Sequence, residues 1–322
     1  MIERKSMNRV IVIVGPTASG KTNLSIELAK RMNGEIVSAD SMQIYKYMDI
    51  GTAKPSMEEM QGIPHFLIDE VHPDEDFNVV RFKELAENYI ETTLERGKQP
   101  IVVGGTGLYI SSLIQNIAFS ETESNWELRN ALKKEAEDFG PDYLHKKLEE
   151  VDPEAAHNIH PNNIKRVIRA LEVYYQTNQP ISYHNEMSRG IPSKYDFILI
   201  GLTMDRQILY DRINRRVDIM LDNGLVDEVK KLVAMGFADS IISMQGIGYK
   251  EILAYLNKEC TLQQAVENIK QGTRRYAKRQ MTWFRRISEI RWFNLDNYGN
   301  NVSVVEDVLT FVNNSIAPNI TP

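Results

Sequence analysis

The chain has 322 residues, and its 42% hydrophobic and 25% charged content exclude wholesale disorder. One cysteine, Cys260, excludes a disulfide framework and any multi-cysteine zinc or iron–sulfur centre. The net charge of −6 argues, as an average, against a nucleic-acid partner. Val10–Val14 is a short β-branched run that reads as a buried strand, too brief for a signal peptide. A Gly/Ser-rich loop follows, then an amphipathic helix from Lys21 to Met32. Glu35–Ser38 and His65–Ile68 are further strands, ending at Ala39-Asp40 and Asp69. Arg81–Arg96 is a helix capped by Gly97, and Pro100–Val103 a strand running into Gly104-Gly105-Thr106-Gly107. This alternation predicts an α/β fold of the P-loop kind, a parallel sheet flanked by helices. From about 120 the pattern turns helical, which predicts a helical insertion at 120–194 between catalytic segments 1–119 and 195–312. Strand signal returns at Phe197–Thr203. Helices are expected at Arg206–Leu221, Leu225–Met235, Tyr249–Leu256 and Thr261–Arg286, a last strand at Ile290–Phe293, and a frayed tail at 313–322. No apolar run approaches the ~18 residues of a membrane span, so no membrane partner and a cytoplasmic location are expected.

Gly15-Pro16-Thr17-Ala18-Ser19-Gly20-Lys21-Thr22 fits G-x-x-x-x-G-K-[ST] between a strand and a helix, the context that motif requires. Backbone amides and a helix N-terminus there cradle an anion, Lys21 adds a charge, and the Thr22 hydroxyl suits Mg²⁺. The motif specifies a diphosphate or polyphosphate but not its carrier. It leaves open an ATP-consuming small-molecule kinase, with Asp40 or Asp69 for magnesium and Arg212, Arg215 and Arg216 as a lid. Asp40-Ser41-Met42-Gln43 lies at the same sheet edge. Its aspartate suits a magnesium ligand, a general base or a turn cap, and its glutamine matches an adenine edge. Arg274–Arg286 holds six basic residues and no acid, interleaved with Tyr276, Trp283 and Phe284, a composition suited to phosphates and bases or to a solvated helix with core aromatics. Lys165, Arg166 and Arg169 read either as a second basic edge or as ordinary surface charges. His157 and His160 are read as structural.

GPTASGKT at 15–22, SADSMQIYKYMDIGTAKP at 38–55, IPHFLID at 63–69, VGGTGLY at 103–109, IHPNNIKRVIRALEVY at 159–174, GIGYKE at 246–251 and YAKRQMTWFR at 276–285 occur in one order along nearly the whole chain. Together they resemble the bacterial-type tRNA dimethylallyltransferases, with Asn163 where many members carry aspartate. The resemblance implies transfer of a dimethylallyl group from dimethylallyl diphosphate to N6 of the adenosine 3′ of the anticodon. It implies that residues 15–22 hold the prenyl diphosphate with Mg²⁺. Asp40 becomes the general base, Thr106 a hydrogen-bond donor to the bridging oxygen, and Arg212 a diphosphate contact. The anticodon stem-loop is expected to meet Asp40, Ser41, Met42, Gln43, Thr106 and Arg129. Further contacts are expected from Lys165, Arg166, Val167, Ile168 and Arg169, from Gln245, Gly246, Ile247, Gly248, Tyr249 and Lys250, and from Arg275, Lys278 and Arg279. A monomer is expected.

Overall fold

A computed structural model describes residues 8–117, 125–189, 192–237, 241–299 and 301–316. They fall into two compact units, one drawn from Met1–Ile110 and Lys194–Pro322, the other from Ser111–Ser193. The expected boundary at 119–120 lies outside the described residues.

The first unit opens with β1 (Arg9–Val14), α1 (Lys21–Met32), β2 (Gly34–Ser38), the short α2 (Met57–Met60), β3 (His65–Phe66), α3 (Val79–Glu95), β4 (Gln99–Gly104) and the start of α4 (Gly107–Ile114). It resumes, after five helices of the second unit, with what the chain order makes its fifth strand. Those intervening helices are α5 (Trp126–Phe139), α6 (Pro141–Val151), α7 (Pro153–Asn158), α8 (Ile164–Thr177) and α9 (Ile181–Arg189). Then come β5 (Asp196–Thr203), α10 (Arg206–Asp222), α11 (Leu225–Ala234), α12 (Tyr249–Leu256), α13 (Leu262–Phe284), β6 (Arg291–Asn294) and α14 (Asn301–Ile316).

The six strands form one sheet in the order β3-β2-β4-β1-β5-β6, and every pairing is parallel. Parallel strands covered on both faces read as unbroken apolar runs. Val10–Val14 are all buried, as are Ile101–Val103. One face packs on α1 and α14 through Leu24, Leu28, Val305 and Val308. In the central pairing Arg9 lies opposite Asp196 and Val14 opposite Gly201. Because the strands run one way, the turns after β1, β2 and β4 emerge at the same edge, where such sheets bind ligands.

Two expectations are corrected. The strand expected at His65–Ile68 stops at Phe66, because Leu67 and Asp69 take left-handed backbone angles (φ 60° and 57°) that break the extended ladder. The tail expected from 313 is still helix to Ile316, where Val308 and Val312 hold α14 on the sheet, and residues 317–322 lie outside the described set.

In the second unit α5, α6, α7 and α8 pack around Leu132, Leu144, Leu148, Val167 and Leu171. Its turns are set locally. Pro141 and Pro153 occupy first-turn positions, where a missing N–H costs nothing. Asp152 is buried, accepts from the Ala155 amide at 2.9 Å to start α7, and takes the Ser182 amide at 3.0 Å on its other oxygen.

Candidate active site

Residues 15–22 leave β1 and wrap onto the N-terminus of α1. Gly20 is the N-cap with φ 87°, a left-handed angle that suits glycine. Lys21 folds over the loop, its Nζ donating to the Gly15 and Pro16 carbonyls at 3.0 and 2.7 Å. Burial pushes its ammonium down to about 8, with Asp40 opposing and Arg216 adding to the shift.

Across from this loop, Asp40 follows β2. Its Oδ1 accepts the Met42 and Gln43 amides at 2.9 and 3.3 Å, so the aspartate does cap a turn while still lining the open cleft. Thr106, after β4, accepts the Ser41 amide at 3.1 Å and donates its own amide to the Ala39 carbonyl at 3.2 Å. The turns after β2 and β4 are thus locked to each other. One cleft of about 430 Å³ is lined by Thr17–Thr22, Asp40, Gly104 and Gly105, with Arg212, Arg215 and Arg216 of α10 as its cationic wall. A second, of about 360 Å³, is lined by Asp40, Ser41, Met42, the Gln245–Lys250 stretch and Arg279. Asp40, Thr17, Arg216 and Tyr276 belong to both. The arrangement can hold an anion on one side of a carboxylate and a flat group on the other.

The first unit therefore brings together residues 15–22, Asp40–Gln43, Thr106, Arg212, the Gln245–Lys250 stretch and Arg279. Arg275, Lys278 and Arg279 are exposed along α13, with the Arg279 guanidinium over the Tyr276 ring at 5.6 Å. Other candidates have different work. Gln43 donates its amide to the Thr52 and Ala53 carbonyls at 3.3 and 3.1 Å, so it holds a neighbouring loop and does not offer a free edge. Tyr249 is buried, its hydroxyl donating to Glu228 at 2.7 Å, so its polar end is spent inside the protein while it lines the second cleft. The same Glu228 accepts the amides of Asp49, Ile50 and Gly51. Asp69 pairs with Lys54 and does not line either cleft.

In the second unit Val167 and Ile168 are core residues, because α8 turns that stripe inward. Lys165 and Arg166 are exposed. Arg129 makes a two-pronged pair with the buried Glu172 at 2.8 and 3.0 Å, and Arg169 joins it at 2.6 Å. Burial pushes the Glu172 carboxyl up, and these two guanidiniums more than reverse it, leaving it below the usual range.

One residue escaped the sequence reading. Gln280 is buried on α13, accepts the Thr17 amide of the phosphate loop at 2.8 Å and donates to the Gly105 carbonyl at 3.0 Å. Tyr276, one turn earlier, lines both clefts. Burial beside Asp40 pushes its hydroxyl up to about 12. The available signal was positional: Gln280 is a polar residue on the buried stripe of Ala277 and Phe284.

A phosphate loop on a parallel sheet, a cationic wall and a carboxylate shared with a second cleft define a P-loop group-transfer enzyme. A model of the family described as IPP transferase matches residues 43–287. The chain belongs to that family. It is 63% identical over 302 residues to a tRNA dimethylallyltransferase of Acetivibrio thermocellus, covering 94% of this chain and 96% of that one, and 54% identical to one of Alkaliphilus oremlandii, covering 94% and 96%. Among solved structures it is similar to the full-length tRNA isopentenylpyrophosphate transferase of Bacillus halodurans, with a TM-score of 0.73, 44% identity and coverage of 96% and 97%. It is also similar to a eukaryotic dimethylallyltransferase acting on tRNA, with a TM-score of 0.81, 33% identity and coverage of 98% and 81%.

Proposed function

We propose how this chain, an enzyme that transfers a dimethylallyl group to a tRNA adenosine, divides the reaction between its two clefts. The donor is dimethylallyl diphosphate, its diphosphate held by residues 15–22 and Arg212. The acceptor is the exocyclic N6 of the adenosine immediately 3′ of the anticodon, held in the second cleft. A base inside a stacked loop cannot reach that depth, so the adenosine must swing out of its stack. The shared position of Asp40 carries the reading: a carboxylate between an anion site and a base-sized site is where a proton acceptor is needed.

The step balances simply. The allylic C–O bond breaks with its electron pair leaving on diphosphate, the new C–N6 bond forms, and the N6 proton passes to Asp40. Lys21, Arg212 and the loop amides stabilise the charge gathering on the departing oxygen, and the Thr106 hydroxyl donates to the bridging oxygen. With both substrates seated, the cleft must exclude water that would trap the allylic cation. The donor set fits magnesium held mainly through the diphosphate, since the Thr22 hydroxyl is a hard oxygen group lining the cleft beside the phosphate loop. When bound with the diphosphate, the ion would supply neutralising charge. Arg275, Lys278 and Arg279 would follow RNA phosphates, as would Lys165 and Arg166 of the second unit. No helix among the described residues is long and apolar enough to cross a membrane.

The test is to incubate the protein with radiolabelled dimethylallyl diphosphate and bulk tRNA. Label should enter RNA and, after nuclease digestion, co-migrate with N6-(dimethylallyl)adenosine. ATP-dependent phosphorylation of a small molecule with no label in RNA would replace this reading by the kinase one.

A further inference from the structure

Gln280 lies on the helix that carries the exposed Arg275, Lys278 and Arg279, but on its opposite, buried side. Its carboxamide makes one bond to the phosphate loop, at the Thr17 amide, and one to the turn after β4, at the Gly105 carbonyl. A Cβ on Gly105 would come within 2.1 Å of the Gln280 Nε2, and one on Gly107 within 2.5 Å of the Trp283 ring. The buried side of α13 is therefore keyed into two glycines beside Thr106.

Helix-on-sheet packing does not require this. Ala277 and Phe284 fill neighbouring core positions with apolar atoms. A buried carboxamide that spends both ends on loop backbone instead fixes where those loops stand. The Thr17 amide is a donor of the kind that phosphate loops turn toward their anion, and here a protein oxygen holds it. The loop's first half is thereby set from α13.

We propose that Gln280 is a positioning residue. It holds the phosphate loop and the Gly105–Thr106 turn in register with each other and with the basic helix, so that the departing diphosphate meets the Thr106 hydroxyl. This deepens the prenyl-transfer reading and rests on it.

The experiment compares wild type with Gln280→Met, which keeps the volume and bonds neither loop. Wild type must first label tRNA. If it does not, the prenyl-transfer reading fails by itself. Given that activity, Gln280→Met should lower kcat by about 100-fold, the scale of a small misplacement of reacting groups. It should raise KM for dimethylallyl diphosphate several-fold and leave the tRNA Kd within about twofold. A purely structural role would lower the melting temperature and the active fraction with both KM values unchanged, and that result overturns the proposal, as does unchanged kcat. If Gln280→Met melts below the assay temperature, Gly105→Ala tests the same contact from the other side. It should show the same split, and Gln280→Ala added to it should recover none of the kcat loss, because space is freed while the bonds to Thr17 and Gly105 stay missing. Recovery of kcat in the double variant overturns the proposal.

Discussion

Asp40 spends one carboxylate oxygen on two backbone amides, so its replacement must separate chemistry from turn geometry. Asparagine keeps that acceptor and cannot take a proton at neutral pH. Asp40→Asn is expected to lower the single-turnover rate by about 10²–10⁴-fold while tRNA binding by filter assay stays near wild type. Asp40→Ala, which also frees the Met42 and Gln43 amides, should lose binding as well as rate. Lys21 gives a pH prediction. Its folded value of about 8 lies below its usual 10.5, so the folded protein releases this proton first. The group's cost to stability is full below about 8 and is relieved as pH rises toward 10.5, since the unfolded chain holds the proton across that window. Activity moves the other way. kcat/KM for dimethylallyl diphosphate should fall as pH rises through about 8, where the ammonium is lost. Lys21→Met should start lower and show no break there. At this scale the phosphate loop was legible because its spacing is its mechanism. The bonds of Gln43 to the Thr52 and Ala53 carbonyls were not legible, because those partners sit in a loop that no periodicity announces.

Helices have faces, and the motif blocks did not distinguish them. In α13 the exposed Arg275, Lys278 and Arg279 and the buried Ala277, Gln280 and Phe284 share one stretch of sequence. Arg279→Ala should weaken tRNA binding about equally for all substrate tRNAs and flatten the salt dependence by about one unit of slope, as loss of one phosphate contact does. An unchanged slope from a titration of Kd against salt would remove Arg279 from the RNA surface. In α8 the same mixing led Val167 and Ile168 to be taken with Lys165 and Arg166. Their spacing to Leu171, at i+4 and i+3, is the core signature that separates them. Tyr249 has the same spacing to Ile252 and Leu253 on α12. Arg129 and Arg169 are held by Glu172, so their charge is partly spent inside the second unit.

For the whole molecule, the opening charge of −6 is an average over unlike surfaces. Removing the six positive charges of residues 274–286 leaves −12 for the rest of the chain. An acidic body would limit adventitious RNA binding and leave the basic strip as the surface proposed for the anticodon loop. The parallel sheet was legible from alternating strand and helix signals, whereas its order was not, because strand neighbours are chosen by packing and crossover rather than by composition. That order has a further consequence for how the protein is made. β1 is the central strand, yet its partner β5 begins 187 residues later, with Arg9 opposite Asp196. At ribosomal speeds the wait is roughly 10–40 s. Until then a strand of Val and Ile has one side of its ladder open while the second unit emerges. So long-range a closure makes for a slow refolder, and tryptophan fluorescence after dilution from urea should show a dominant phase well beyond milliseconds. The same topology that gathers three loops at one sheet edge leaves the nascent chain with an unfinished, exposed strand edge until β5 arrives.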